Sequence, residues 1–204
     1  VHGQLTWAGN RLACLRSGAR TPPEVVVYDT NTWQRTVVAV SADWPASELV
    51  EPELVEVKSS AGSIHARLYK GDGRRGLFVW LHGGPTDQWQ VSFMPRLAYW
   101  RAQGWNVLVP DHRGSTGHGR DYQQALRGQW GVLDVHDIVT VTEHAHAMGW
   151  GDARHTVVMG GSSGGFTALG AVAAEPSHFA AAVVLYPVTD LADLAVRSHR
   201  FGRH

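Results

Sequence analysis

The stretch "VVMGGSSGGFTALG", Val157 to Gly170, constrains this chain more than any other. Two serines sit between paired glycines where an apolar, β-branched run gives way to residues spaced for a helix. Glycine tolerates positive φ and allows backbone approaches that a Cβ would forbid. The pattern therefore predicts a strand that turns sharply and leaves as a helix. A serine on such a turn stands beside the free N–H groups of a helix N-terminus.

Strand-like and helix-like segments alternate around this block. "GLFVWLH" is continuously apolar, as a strand covered on both faces should be. "FMPRLAYWRAQG" has helical spacing and stops at Gly104, "WNVLVPD" reads as a strand and "DVHDIVTVTEHAHAMGWG" as a helix. "HTVVMG", "GGFTALGAVAAE" and "FAAAVVLYP" then give strand, helix and strand. Such βαβ spacing predicts a mostly parallel sheet with helices on both faces. Ahead of it, "ELVEVKSS" and "SIHARLYK" alternate as a hairpin turning at Ala61-Gly62.

The first forty residues differ. "QLTWAG", "NRLACLRSG", "EVVVYDT" and "QRTVVAV" are short β-rich runs separated by turn signals, which predicts an antiparallel meander like one β-propeller blade. "SADWPASELVEP" has two prolines and no sustained period, as a linker would. The expected organisation is a last, partial propeller domain over residues 1–40, a linker over 41–52 and a C-terminally incomplete α/β domain over 53–204.

Charge narrows the partners. Lysine plus arginine equals aspartate plus glutamate at 18 each, so no overall field selects nucleic acid, anionic lipid or acidic substrates. No apolar run approaches the roughly 18 residues of a transmembrane helix, and "VHGQLTW" shows no signal-peptide pattern. Cys14 is alone and cannot form an internal disulfide, which fits a reducing, cytoplasmic compartment. The expected partner is recognised by shape and local chemistry, with neither nucleic acid nor membrane bound.

A serine hydroxyl is a weak nucleophile until a base activates it and N–H donors receive the oxyanion. Two registers fit G-x-S-x-G here: Gly160, Ser162, Gly164 or Gly161, Ser163, Gly165. Ser162 is the candidate nucleophile, because it follows the strand directly and leaves the Ser163 N–H at the helix start as an oxyanion donor. A helix cap would not need two glycines on each side, and no Lys-Ser or Lys-Thr follows to make a phosphate loop. "HGGP", His82 to Pro85, follows the buried-type strand, where an α/β-hydrolase fold places its second oxyanion N–H, and Gly84 is the candidate. His82 precedes the serine and is expected to hold that loop by hydrogen bonds.

Other glycine and histidine groupings carry less. Gly114, Gly117 and Gly119 lack the order and position of a dinucleotide fingerprint, and Arg113 and Tyr122 are expected to shape that loop. His144 and His146 lie two apart on a helix, diverge by about 200° and cannot chelate together. No metal and no cofactor is expected.

Taken in order, "LHGGPTDQW", "PDHRGSTGHGRDY", "QWGVLDVHD", "GGSSGGFTAL" and "LYPVTDL" resemble successive blocks of the prolyl oligopeptidase family of serine peptidases, particularly its acylaminoacyl-peptidase-like branch. The resemblance covers roughly residues 51–204, and the opening meander resembles the end of the propeller that precedes the catalytic domain in that family. It implies Ser162 as nucleophile, with Gly84 and Ser163 as oxyanion donors.

In the α/β-hydrolase order the triad acid and histidine follow the serine, after the seventh and eighth strands. The chain ends shortly after the sixth, so its acid and base are expected beyond His204 and the chain alone is expected to be inactive. Asp190 follows the sixth strand, but the resemblance makes "PVTDL" a block outside the triad, and His199 and His204 come too early. The expected function is a serine peptidase acting on short peptides through an acyl-enzyme. An esterase or lipase of the same fold, and a non-catalytic module, are the alternatives. Exopeptidase or endopeptidase action, side-chain preference and oligomeric state are left open.

Overall fold

The computed structural model describes residues 1–60 and 62–197; Ala61 of the expected hairpin turn, and His199 and His204, lie outside them. Contacts group the chain into two units, Val1–Pro52 with Gln90–Gln103, and Glu53–Trp89 with Gly104–His204.

In the first unit, β1 (His2–Ala8), β2 (Arg11–Gly18), β3 (Thr21–Asp29) and β4 (Arg35–Val40) form an antiparallel sheet in sequence order. This is the meander of a propeller blade. The Asp29 carboxylate accepts the N–H groups of Asn31 and Thr32, which turns the chain from β3 to β4. Cys14 and Val26 face each other across β2 and β3 and are both buried. Helix α1 (Pro95–Ala102) starts on a proline, whose missing N–H costs nothing there. It is tied to this unit through Arg101 Nη1, which donates to Glu48 O at 2.8 Å, and through Trp44, edge-on to Phe93 at 5.4 Å.

The second unit is built on β5 (Glu53–Ser59), β6 (Gly62–Tyr69), β7 (Gly76–Leu81), β8 (Trp105–Asp111), β9 (Thr156–Gly161) and β10 (Ala181–Leu185). They are ordered β10-β9-β7-β8-β6-β5, antiparallel at β5/β6 and β6/β8 and parallel elsewhere. This is the mixed, mostly parallel sheet of an α/β-hydrolase. Every residue of β7 is buried, which explains its unbroken apolar run. The helices are α2 (Arg120–Gln124), α3 (Leu133–Ala147), α4 (Ser163–Ala174) and α5 (Leu191–Arg197).

Helices α3 and α4 pack on each other and on the sheet. Ile138, Val141 and Ala145 of α3 and Ala168 and Ala171 of α4 close over Leu77, Val79, Leu81 and Leu108. Each fully buried Leu, Ile or Val stabilises the fold by about 1.5–3 kcal/mol. Parallel pairing brings the C-terminal ends of β7, β8, β9 and β10 to one edge, where the connecting loops carry the glycine motifs. Among the described residues no helix is long and apolar enough to cross a membrane.

One buried ion pair secures this edge. Asp137 on α3, fully buried, receives Arg113 N at 2.8 Å and Arg113 Nε at 3.0 Å, and pairs with Nη2 as well. That hydrogen bonding, opposed by desolvation, raises the guanidinium pKa above its usual value. Asp137→Ala removes the counter-charge of a buried guanidinium and is expected to destabilise the fold by about 3–5 kcal/mol. Urea unfolding, monitored by tryptophan fluorescence, measures this; a loss well under 1 kcal/mol would refute a structural role for the pair.

Candidate active site

Ser162 joins β9 to α4 with φ 55° and ψ −121°. A non-glycine residue held there costs on the order of 1–3 kcal/mol, which surrounding bonds must offset. Ser162 N donates to Leu185 O at 3.0 Å, while Ser162 O accepts from Gly165 N at 3.1 Å and from Phe166 N and Val188 N at 3.2 Å. The end of β10 and the segment after it therefore grip the Ser162 backbone through both its N–H and its carbonyl. Ser162 is half-buried, whereas Ser163, the first residue of α4, is 2% exposed and its Oγ has no hydrogen-bond partner among the described residues. The two serines, alike in sequence, thus have different access to solvent.

The flanking glycines answer a steric demand. A Cβ on Gly160 would lie 2.2 Å from Gly164 O, and one on Gly164 would lie 2.3 Å from His82 O. No side chain fits either position without moving backbone. Gly161 and Gly165 are less tightly confined, at 3.1 Å from Tyr186 Oη and 3.0 Å from Pro187 Cβ.

The "HGGP" loop follows β7 and lies against this turn. A Cβ on Gly83 would stand 3.8 Å from Ser162 Cβ. Gly84 has φ +130°, and a Cβ there would meet Thr86 N at 2.6 Å, so this position requires glycine twice over. His82 is 1% exposed. Its Nδ1–H donates to Gly83 O at 2.6 Å, which leaves Nε2 to accept from Ser115 Oγ at 2.7 Å. Burial, together with the His112 ring stacked 4.8 Å away, holds its pKa below the usual imidazole value. With both nitrogens engaged, the neutral ring braces the loop.

Two further bonds tie that loop to the end of β8 and the loop after it. Thr116 N donates to Asp87 O at 3.0 Å, and Gln88 Nε2 to Asp111 Oδ2 at 2.9 Å. Asp111 also receives Arg67 Nη2 at 2.7 Å. Tyr122 Oη donates to Asp111 O at 2.5 Å, and burial raises its pKa well above the ordinary phenol value. On the helix side, Thr167 Oγ1 donates to Asp134 Oδ2 at 2.5 Å and Gly131 N to Asp134 Oδ1 at 2.6 Å, joining α3 to α4.

Other candidates fall elsewhere. The Asp190 carboxylate accepts Ala192 N and Asp193 N, capping α5. His146 Nε2 bonds Thr156 Oγ1, and His144 lies edge-on to Trp150, so the two rings have different partners. Among the described residues no imidazole or carboxylate hydrogen-bonds Ser162 Oγ; His199 and His204 lie outside them. The grip of Leu185 and Val188 on Ser162 is the feature sequence reasoning missed, because backbone groups leave no residue signature.

The motif geometry has counterparts in known proteins. Residues 90–202 match the prolyl oligopeptidase family. Acylamino-acid-releasing enzyme 1 of Oryza sativa subsp. japonica is 37% identical over 123 residues, covering 60% of this chain and 16% of that enzyme. A Mycobacterium tuberculosis puromycin-hydrolyzing peptidase superposes with a TM-score of 0.89 at 27% identity, over 98% of this chain and 33% of its own. A puromycin hydrolase does so with a TM-score of 0.88 at 32% identity, over 98% of this chain and 32% of its own. The chain thus spans about a third of the solved structures and matches about a sixth of the curated relative. Carrying the family's match over more than half its length, the chain belongs to the prolyl oligopeptidase family.

Proposed function

We propose that the full-length protein is a serine peptidase of acylaminoacyl-peptidase or oligopeptidase type, acting on short peptides with Ser162 as nucleophile. The observation that carries this reading is the strained turn at Ser162, gripped from the β10 side and flanked by the "HGGP" loop. In the reaction, Ser162 Oγ attacks the scissile carbonyl carbon and its proton passes to a general base outside the described residues. The oxyanion is received by the N–H groups of Ser163 and Gly84. Collapse of the tetrahedral intermediate breaks the C–N bond, the amine leaves with a proton, and water then releases the acyl group.

The reading draws support from the family match and from relatives named as acylamino-acid-releasing enzymes and puromycin hydrolase. The blade-like residues 1–40, linker 41–52 and catalytic residues 53–204 are proposed as the functional organisation. Turnover of an N-acyl peptide beside a simple acyl ester tests the substrate class; hydrolysis of the ester alone would overturn the peptidase assignment.

Three variants test the residues. In the full-length protein, Ser162→Ala should abolish covalent labelling by a fluorophosphonate, while Ser163→Ala should slow it modestly, since Ser163 contributes its N–H. Peptide mass mapping that places the label on Ser163 would overturn the register. Gly84→Ala must displace the loop to admit its Cβ, so kcat should fall by about 10²–10³ with little change in KM. Steady-state kinetics on one acyl-peptide substrate checks this, and an unchanged kcat would move the donor elsewhere.

A further inference from the structure

Directly after Gly84, Pro85 and Thr86 form one wall of a cavity of about 540 Å³, and the segment from Arg120 to Trp130 forms the other. That volume lies within the roughly 300–1,000 Å³ of small-ligand pockets. Arg120 and Arg127 are the charged residues lining it, and no carboxylate does. In a chain whose charges balance overall, this is a local positive field beside the candidate oxyanion loop. Both arginines are exposed. Arg127 Nη1 reaches only Gln124 Oε1, at 3.3 Å, and Arg120 makes no ion pair among the described residues.

The walls are fixed to the catalytic frame. Trp130 packs edge-on against Phe166, whose N–H bonds Ser162 O. A Cβ on Gly131 would lie 2.9 Å from the Phe166 ring, so backbone and ring are in close contact. The cavity thus has one wall continuous with the "HGGP" loop and the other seated on the first turn of α4. Its position relative to Ser162 is set by packing.

A short peptide carries its α-carboxylate within a few residues of any bond that is cut, at about 3.3–3.6 Å per extended residue. A guanidinium presents paired N–H donors that match a carboxylate. We propose that this cavity receives the free C-terminal carboxylate of a short peptide, held by Arg120 and Arg127. The inference rests on the peptidase reading above and makes this the leaving-group side of the site. Recognition of that end would favour short substrates.

Binding to the full-length Ser162→Ala protein, measured by calorimetry, separates the claim from catalysis. An N-acetyl tripeptide with a free carboxylate should bind about tenfold more tightly than its C-terminal amide, as charge-assisted hydrogen bonds allow. Adding Arg120→Gln and Arg127→Gln should erase that difference and leave amide binding in place, whereas the Arg120→Lys, Arg127→Lys protein should keep part of it. Equal affinity for acid and amide, or a difference that survives in the glutamine variant, would overturn the proposal. So would equally tight binding of an amidated peptide bearing a glutamate side chain. Discrimination in binding without peptide cleavage by the Ser162 protein would sink the peptidase reading and leave the cavity assignment standing. Cleavage without discrimination would do the reverse.

Discussion

The site depends on one backbone contact, the approach of the Gly164 backbone to the carbonyl of His82, where a Cβ would come within 2.3 Å. At this contact the end of β7 meets the first turn of α4. Because the gap is too narrow for any side chain, the loop carrying Gly84 and the turn carrying Ser162 share one rigid frame. Gly160 repeats the constraint between β9 and α4 at 2.2 Å. On the proposed reading, N–H donors positioned by such packing need little reorganisation when charge develops, which is where most electrostatic catalysis arises.

Around this contact the interior is unusually polar, and each buried group has a mechanical role. His82, Asp111, Arg113, Asp134 and Asp137 are between 0% and 6% exposed. Desolvating such groups is costly unless they are paired, and each of them is. His82 with Ser115 links the loop after β7 to that after β8; Arg113 with Asp137 links the latter to α3; Asp134 with Thr167 links α3 to α4. The chain of links closes on the serine turn. Loosening one link leaves a buried polar group unsatisfied, so the loops hold their positions together.

Much of this was legible because it rests on glycine and on periodicity. The sites of close approach, Gly160, Gly164 and Gly84, are glycines that could be read directly, and "GLFVWL" announced a strand buried on both faces. The helix expected from "DVHDIVTVTEHAHAMGWG" is α3, Leu133–Ala147. What could not be read was pairing between distant polar residues. Asp134 and Asp137 look like ordinary first-turn and helix-face charges until folding brings Thr167 and Arg113 against them. The same holds for the stacked rings of His65 and His118, 4.3 Å apart, which pack against Tyr122 while His118 bonds Asp111.

The strain at Ser162 is a tertiary property. Local sequence offers no reason for serine to accept φ 55° when glycines stand on either side. The conformation is imposed because Leu185 O and Val188 N, contributed from beyond α4, clamp the peptide groups around it. Two hydrogen bonds at about 0.5–1.5 kcal/mol each are comparable with a strain of about 1–3 kcal/mol. The balance is therefore close, and it closes only when β10 has docked beside β9. The strained turn then follows from sheet assembly, so its geometry belongs to the folded sheet and not to the strand–turn–helix segment that encodes the motif.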